Sequence, residues 1–237
     1  VSLFIVIPVR NEATRLEAGL QQLRIRLEAL GFSHYQVLIS DNGSTDQTFQ
    51  TLQRFNQQHG TAIGYVRASE EPDKGMGIAS GWALAPETVT VLAYCDIDMA
   101  TDPIALVTGY QLIESGQADA VAGSRWLPAS QVIGRTFIRT FLSAGLSLAW
   151  RLLPQGCLTD PGCGLKLVRR VWWVRVSKPT GRLGFVYGAE VLELLARYGY
   201  FVQEIPVTWT DDDAGRIRVQ QAIADYLRGW WRLFKSF

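Results

Sequence analysis

The apolar positions of the first 125 residues fall into short continuous runs separated by stretches with a helical repeat. Leu3–Pro8 is apolar throughout, as a strand covered on both faces requires. Leu16, Leu20, Leu23, Leu27 and Leu30 then recur at steps of four and three, drawing one core-facing stripe along a helix. Further strands are expected at Tyr35–Ser40, Thr61–Arg67, Val89–Cys95 and Ala118–Ser124. Ser44 and Gln47 have capping-box spacing for a helix reaching Gln58. A glycine-rich loop is expected to lead into a short helix over Gly77–Ala85. Repeated strand-helix-strand units imply right-handed crossovers and a mostly parallel sheet, an α/β fold.

After Arg125 the rhythm changes. Thr136–Leu153 is a long helical pattern, apolar on nearly all sides and flanked by Arg135, Arg139 and Arg151. A turn-rich segment, Pro154–Gly164, precedes a short strand at Leu165–Val168. A helix over Tyr187–Tyr198, a strand over Phe201–Trp209 and a basic, aromatic helix over Ile217–Phe237 complete the pattern. No repeat, low-complexity tract or linker interrupts it, so one domain is expected over residues 1–237, with halves at 1–125 and 126–237.

Composition narrows the chemistry. With 237 residues, 48% hydrophobic and 19% charged, the chain can bury a full core. A net charge of +1 argues against a nucleic-acid partner, so any electrostatic function must be local. Cys95, Cys157 and Cys163 are odd in number and form no metal-ligand spacing, which favours a reducing compartment; a Cys157–Cys163 bridge stays open. His34 and His59 sit in polar surroundings, leaving little room for a histidine triad or a zinc site. No run approaches the roughly 18 apolar residues of a membrane span, and no signal-peptide pattern opens the chain. Beginning on a strand at Val1 fits either a compact natural terminus or a trimmed chain.

The densest chemistry lies at Tyr94-Cys95-Asp96-Ile97-Asp98-Met99-Ala100-Thr101-Asp102-Pro103. Two carboxylates one residue apart at the end of a buried strand need a cation, and strand ends of open α/β sheets are where ligands bind. A divalent metal carrying a diphosphate suits the place; a solvated strand-ending turn is the plainer alternative. Pro8, Arg10, Asn11 and Glu12 end the first strand, and Asp41 ends the second, where ligand contact and local capping both explain them. Gly75, Gly77 and Gly81 after Asp73-Lys74 miss the dinucleotide spacing, and no GxxxxGK[ST] occurs, but a glycine-rich helix start can still offer amides to an anion.

Taken in order, Val6-Ile7-Pro8-Val9-Arg10-Asn11-Glu12, Asp41-Asn42-Gly43-Ser44-Thr45-Asp46, Lys74-Gly75-Met76-Gly77 and Asp96-Ile97-Asp98 resemble the family 2 glycosyltransferases. These are inverting enzymes of the Rossmann-like GT-A fold, with motifs "VIPxYNE", "DDGSxDxT", "KGxGxAxxxG" and Asp-X-Asp. Arg10 replaces the usual Tyr, and Asn42 the second Asp of the pair. In the second half, Gly123-Ser124-Arg125, Arg139 with Ser143, Thr159-Asp160-Pro161-Gly162-Cys163-Gly164-Leu165-Lys166 and Gly184–Glu190 resemble the polyprenyl-phosphate hexosyltransferases. The dolichyl-phosphate β-glucosyl type is nearest, through Ala100-Thr101-Asp102.

The resemblance implies that Asp96 and Asp98 hold Mg2+ or Mn2+ on the departing diphosphate. It implies donor contacts from Pro8, Arg10, Glu12, Asp41 and Lys74. Arg125, Arg139 and Ser143 would meet the acceptor phosphate, with Asp160, Lys166, Glu190, Arg216 and Arg218 as further substrate-binding positions. Gly215 stands where relatives carry a serine. The donor would be a UDP-hexose or GDP-mannose, with UDP-glucose foremost, and the acceptor a polyprenyl phosphate. A lipid phosphate is ionised at neutral pH, so no strong general base is needed. The two basic, aromatic helices suit peripheral contact at the cytoplasmic face of a membrane, with C-terminal helices on the acceptor side. Two other readings stay open: the same fold acting on a soluble or saccharide acceptor, and a sugar-nucleotide-binding module without catalysis.

Overall fold

A computed structural model describes residues 2–153, 156–176, 183–211 and 219–235, apart from the side chains of 138, 139 and 219–222. The first strand, β1 (Leu3–Val9), is buried along its whole length. Leu3, Ile5, Ile7 and Val9 enter one core, and Phe4 and Val6 the other. That alternation is why the run is apolar without a break. Helix α1 (Leu16–Ala29) presents its leucine stripe to the first core, together with α2 (Thr48–His59) and α4 (Ile104–Glu114). Helices α3 (Lys74–Ala83) and α7 (Tyr187–Arg197) cover the second.

The sheet has seven strands, in the order β3 (Gly64–Ser69), β2 (Tyr35–Asn42), β1, β4 (Val91–Cys95), β7 (Leu165–Arg169), β5 (Ala120–Ser124), β8 (Val202–Pro206). All neighbouring pairs are parallel except those of β7, which runs antiparallel to both β4 and β5. The chain leaves β1 toward β2 on one side and returns to β4 on the other. The carboxyl ends of β1 and β4 therefore diverge and leave a crevice. A second, two-stranded parallel sheet joins β6 (Gln131–Ile133) to β9 (Thr208–Thr210). It is fastened behind the acidic turn: Asp102 N donates to Thr208 O (2.9 Å), and Thr210 N to Ala100 O (2.8 Å). Helices α5 (Phe137–Arg151), α6 (Arg170–Val176) and α8 (Val219–Lys235) complete the chain.

Several expectations change. Ser44 and Gln47 form no capping box, because Ser44 Oγ accepts from Asn11 N and Asp46 Oδ1 takes Thr48 N, the first amide of α2. The glycine-rich segment is not a loop, since α3 begins at Lys74 and Asp73 caps it by accepting from Met76 N. Its glycines are contact points; a methyl group at Gly75 would collide with Leu183, Gly184 and Tyr187. The run expected as one strand over Phe201–Trp209 breaks into β8 and β9 at Val207, just after Pro206, where Val207 N leaves the ladder for Ser130 Oγ. The three cysteines are free thiols, and burial raises the pKa of each.

Candidate active site

The crevice between β1 and β4 is a cleft of about 360 Å3, walled by Pro8, Arg10, Glu12, Lys74, Asp96, Asp98 and Phe185. Lys74 begins α3 and reaches across to Asp96, Nζ to Oδ1 at 2.7 Å. Its ammonium also stands 4.4 Å from the centre of the Phe185 ring and 5.6 Å from that of Tyr94. The acidic pair thus meets a fixed cation inside the cleft. Asp98 Oδ1 accepts from Ala100 N at 3.1 Å, across a turn in which Met99 has φ 47°. Behind Asp96 lies the backbone of Gly164, where any β-carbon would overlap the Asp96 carboxylate.

The wall on the β1 side is built by local hydrogen bonds. Asn11 adopts φ 55°, tolerable for this residue type. Its Oδ1 accepts from Thr45 N (2.8 Å), while Glu12 N donates to Thr48 Oγ1 (2.9 Å), so the loops after β1 and β2 are tied together. Glu12 takes a two-pronged bond from Arg15. Asp41 is buried behind this wall and is not among the residues lining the cleft. Its oxygens accept from Ser44 N (2.8 Å) and the Tyr65 hydroxyl (2.6 Å). Burial, then that hydrogen bond, pushes the Tyr65 phenol up to about 12.

The residues expected from the second half lie away from the cleft lining. Arg125 makes a two-pronged bond to Asp160, with Nε to Oδ2 at 2.7 Å and Nη2 to Oδ1 at 2.8 Å, and its guanidinium stands over Trp209 at 5.5 Å. Burial alone would raise the Asp160 carboxyl, but the Arg125 hydrogen bonds and charge outweigh it and hold the group low. Lys166 is wholly buried and donates to Cys163 O at 2.8 Å; burial lowers its pKa against the pull of nearby acids. Glu190 pairs with Arg232 of α8, and burial raises its pKa despite that partner. Ser143 lies on α5 with a buried Oγ that has no hydrogen-bond partner among the described residues. The Arg139 side chain, Gly215, Arg216 and Arg218 lie outside the described residues.

Four acids bracing the site were not singled out from sequence. Asp73 accepts from Leu183 N and Gly184 N, and Asp225 from Phe185 N, which sets the Phe185 ring over Lys74. Glu193 and Glu204 each accept three hydrogen bonds from the segment before Asp160 and its surroundings. For Glu193 the available signal was an acid inside the otherwise apolar run Val191–Leu195.

Residues 4–155 match glycosyl transferase family 2. That is more than half of the chain, and the chain belongs to this family. It is 27% identical over 239 residues to glycosyltransferase AglD of Haloferax volcanii, a match covering 98% of this chain and 38% of AglD. It is 23% identical over 232 residues to the dolichyl-phosphate beta-glucosyltransferase of Saccharomyces cerevisiae, covering 92% of this chain and 69% of the yeast protein. In fold it is similar to glucosyl-3-phosphoglycerate synthase of Mycobacterium tuberculosis, solved with Mn2+, UDP-glucose and phosphoglyceric acid. That likeness has a TM-score of 0.68 at 17% identity and covers 97% of this chain and 80% of the synthase.

Proposed function

We propose that this chain catalyses inverting, metal-dependent transfer of a hexose, glucose from UDP-glucose foremost, to a polyprenyl monophosphate. The observation that carries the reading is the cleft in which Lys74 meets Asp96 beside Asp98 at the carboxyl end of β4. A carboxylate that draws an ammonium to 2.7 Å is a place for positive charge, and a hard, oxygen-only pair suits Mg2+ or Mn2+. Asp96 and Asp98 would hold that ion, which supplies Lewis-acid stabilisation to the departing nucleoside diphosphate. The yeast relative's name and the ligands in the Mycobacterium tuberculosis structure support the donor and acceptor classes.

In this reading an acceptor phosphate oxygen attacks the anomeric carbon from the face opposite the diphosphate. A new C1–O bond forms as the bond to the diphosphate breaks, and the electron pair leaves with the nucleotide. No side chain has to remove a proton, because the acceptor is already ionised. Lys74, held by Asp96 and the Phe185 face, offsets diphosphate charge. The 1–125 half serves the donor and the 126–237 half the acceptor, with Arg125 directing its remaining N–H groups toward the acceptor phosphate and Arg139 and Ser143 beside it. Exposed apolar residues on α5 and α8 make the chain peripheral at a membrane surface.

The likeness to a synthase solved with phosphoglyceric acid favours a second reading, a soluble phosphate-bearing acceptor. One experiment separates the two: incubation with labelled UDP-glucose or GDP-mannose, Mg2+ or Mn2+, and a short polyprenyl phosphate, followed by organic extraction. Metal-dependent label in the organic phase is expected. Label found only on water-soluble acceptors selects the second reading, and nucleotide binding without turnover contradicts both.

A further inference from the structure

Residues 157–160 are held by an unusual clasp. Four consecutive backbone amides donate to two carboxylates on different elements. Cys157 N (2.9 Å) and Leu158 N (3.1 Å) go to Glu193 of α7, and Thr159 N (2.9 Å) and Asp160 N (3.0 Å) go to Glu204 of β8. Each carboxylate takes a third donor: Trp150 Nε1 from α5 on Glu193 (2.9 Å), and Thr159 Oγ1 on Glu204 (2.6 Å). Glu193 is completely buried. A carboxylate so placed is costly unless it is well hydrogen-bonded, and three donors fill three of the roughly four lone-pair sites of each. The held segment ends at Asp160, which accepts three hydrogen bonds from Arg125, through the backbone N, Nε and Nη2. Four residues further on, Gly164 forms the shelf behind Asp96.

We infer that Glu193 and Glu204 are positioning residues for the acceptor: they fix the 157–160 backbone, and through Asp160 they fix the direction of the Arg125 guanidinium. The inference rests on the proposed reading in which Arg125 faces the acceptor phosphate. Neither acid lines the cleft, so neither touches the donor. Their chemistry differs in one testable respect. A glutamine at 204 keeps its carbonyl oxygen for the two amides and turns its NH2 to Thr159 Oγ1, which can accept while donating to Ser124 Oγ, 2.9 Å away. A glutamine at 193 has a much poorer outlet, because amide or indole N–H groups point at both of its ends and only the weakly accepting Cys157 sulfur lies beside them.

The test is steady-state transfer by the whole chain to farnesyl phosphate, with acceptor and donor KM measured separately and UDP–Mn2+ binding followed by calorimetry. Glu193→Gln and Glu204→Ala should raise acceptor KM about tenfold, the cost of a buried donor left unpaired. Donor KM and UDP binding should stay near wild type, and Glu204→Gln should restore most of the loss that Glu204→Ala causes. If Glu193→Gln and Glu204→Gln behave alike, or if donor and acceptor KM rise together, the positioning role is overturned. If the wild-type chain uses another acceptor and not farnesyl phosphate, the proposed function falls, and the same KM comparison on that acceptor decides the clasp.

Discussion

Asp160 and Arg125 form a pair that braces the fold and that the proposed reading sets at the acceptor phosphate. Both are buried, and each uses the other as its main partner. Removing one charge leaves the other stranded, so Asp160→Asn should destabilise the chain by about 3 kcal/mol at neutral pH. The effect has a defined pH dependence. The folded Asp160 carboxyl is held below its ordinary value, so in acid the unfolded chain takes up this proton first. The pair's contribution is complete above about pH 5, begins to drain as the unfolded carboxyl takes up its proton, and is gone once pH has fallen through the depressed folded value. Urea unfolding of wild type and Asp160→Asn should therefore show a gap that narrows steadily between pH 5 and pH 2. A gap independent of pH would show that the ion pair is not its source. From sequence, Asp160 and Arg125 were singled out as candidate site residues, but not as partners, because 35 residues separate them.

At the scale of elements, α5 and α8 leave apolar side chains uncovered. On α5, Phe137 is 84% exposed and Phe141 71%, along one stripe with Leu148 that Leu152, just past the helix end and 72% exposed, continues. On α8, Leu227, Trp231 and Phe234 are exposed, with Trp231 52% open and stacked on Phe234. The two helices meet where Trp230 Nε1 donates to Ala149 O (3.2 Å), and Arg151, Arg228 and Lys235 lie exposed on the same helices. Apolar side chains rimmed by cations suit an anionic lipid surface. No helix among the described residues is long and apolar enough to cross a membrane. The double substitution Phe141→Glu with Trp231→Glu should weaken sedimentation with anionic liposomes at least roughly tenfold, since each ring is worth about 1.5–3 kcal/mol when buried. Equal binding by the variant would move the contact elsewhere.

Elements were legible in proportion to how local their signals are. β1, α1 and β4 carry their evidence in their own periodicity. Helix α4 was passed over because Gly109 interrupts it and only three polar positions, Thr108, Gln111 and Glu114, mark its outer face. Helix α6, Arg170–Val176, is β-branched and aromatic, a composition that favours strands. Strand β6 is three exposed residues that exist only because β9 lies beside them. The capping-box pattern at Ser44 failed because a tertiary donor, Asn11 N, competes for the same hydroxyl. In each case the deciding partner is distant in sequence.

Across the whole molecule, the cleft is a product of topology. β1 sits between β2 and β4, and the divergence of its neighbours opens the crevice that Asp96, Asp98 and Lys74 occupy. The second half then closes the back: β7 inserts antiparallel beside β4, bringing Gly164 against Asp96, and β9 binds the turn after Asp98. The order of motifs along the chain was enough to anticipate that Pro8, Arg10, Glu12, Lys74, Asp96 and Asp98 gather at one cleft, though not that Asp41 is buried behind its wall. The surroundings of Arg125 and Asp160 depend on long-range carboxylate bonds that no local pattern records. The central claim is that the Asp96–Asp98 turn holds the metal and diphosphate of a sugar donor. Asp98→Ala, assayed for metal-dependent label transfer beside its thermal unfolding, tests this most directly. We expect an unchanged Tm with transfer lost; wild-type transfer by this variant would remove the metal and diphosphate from this turn.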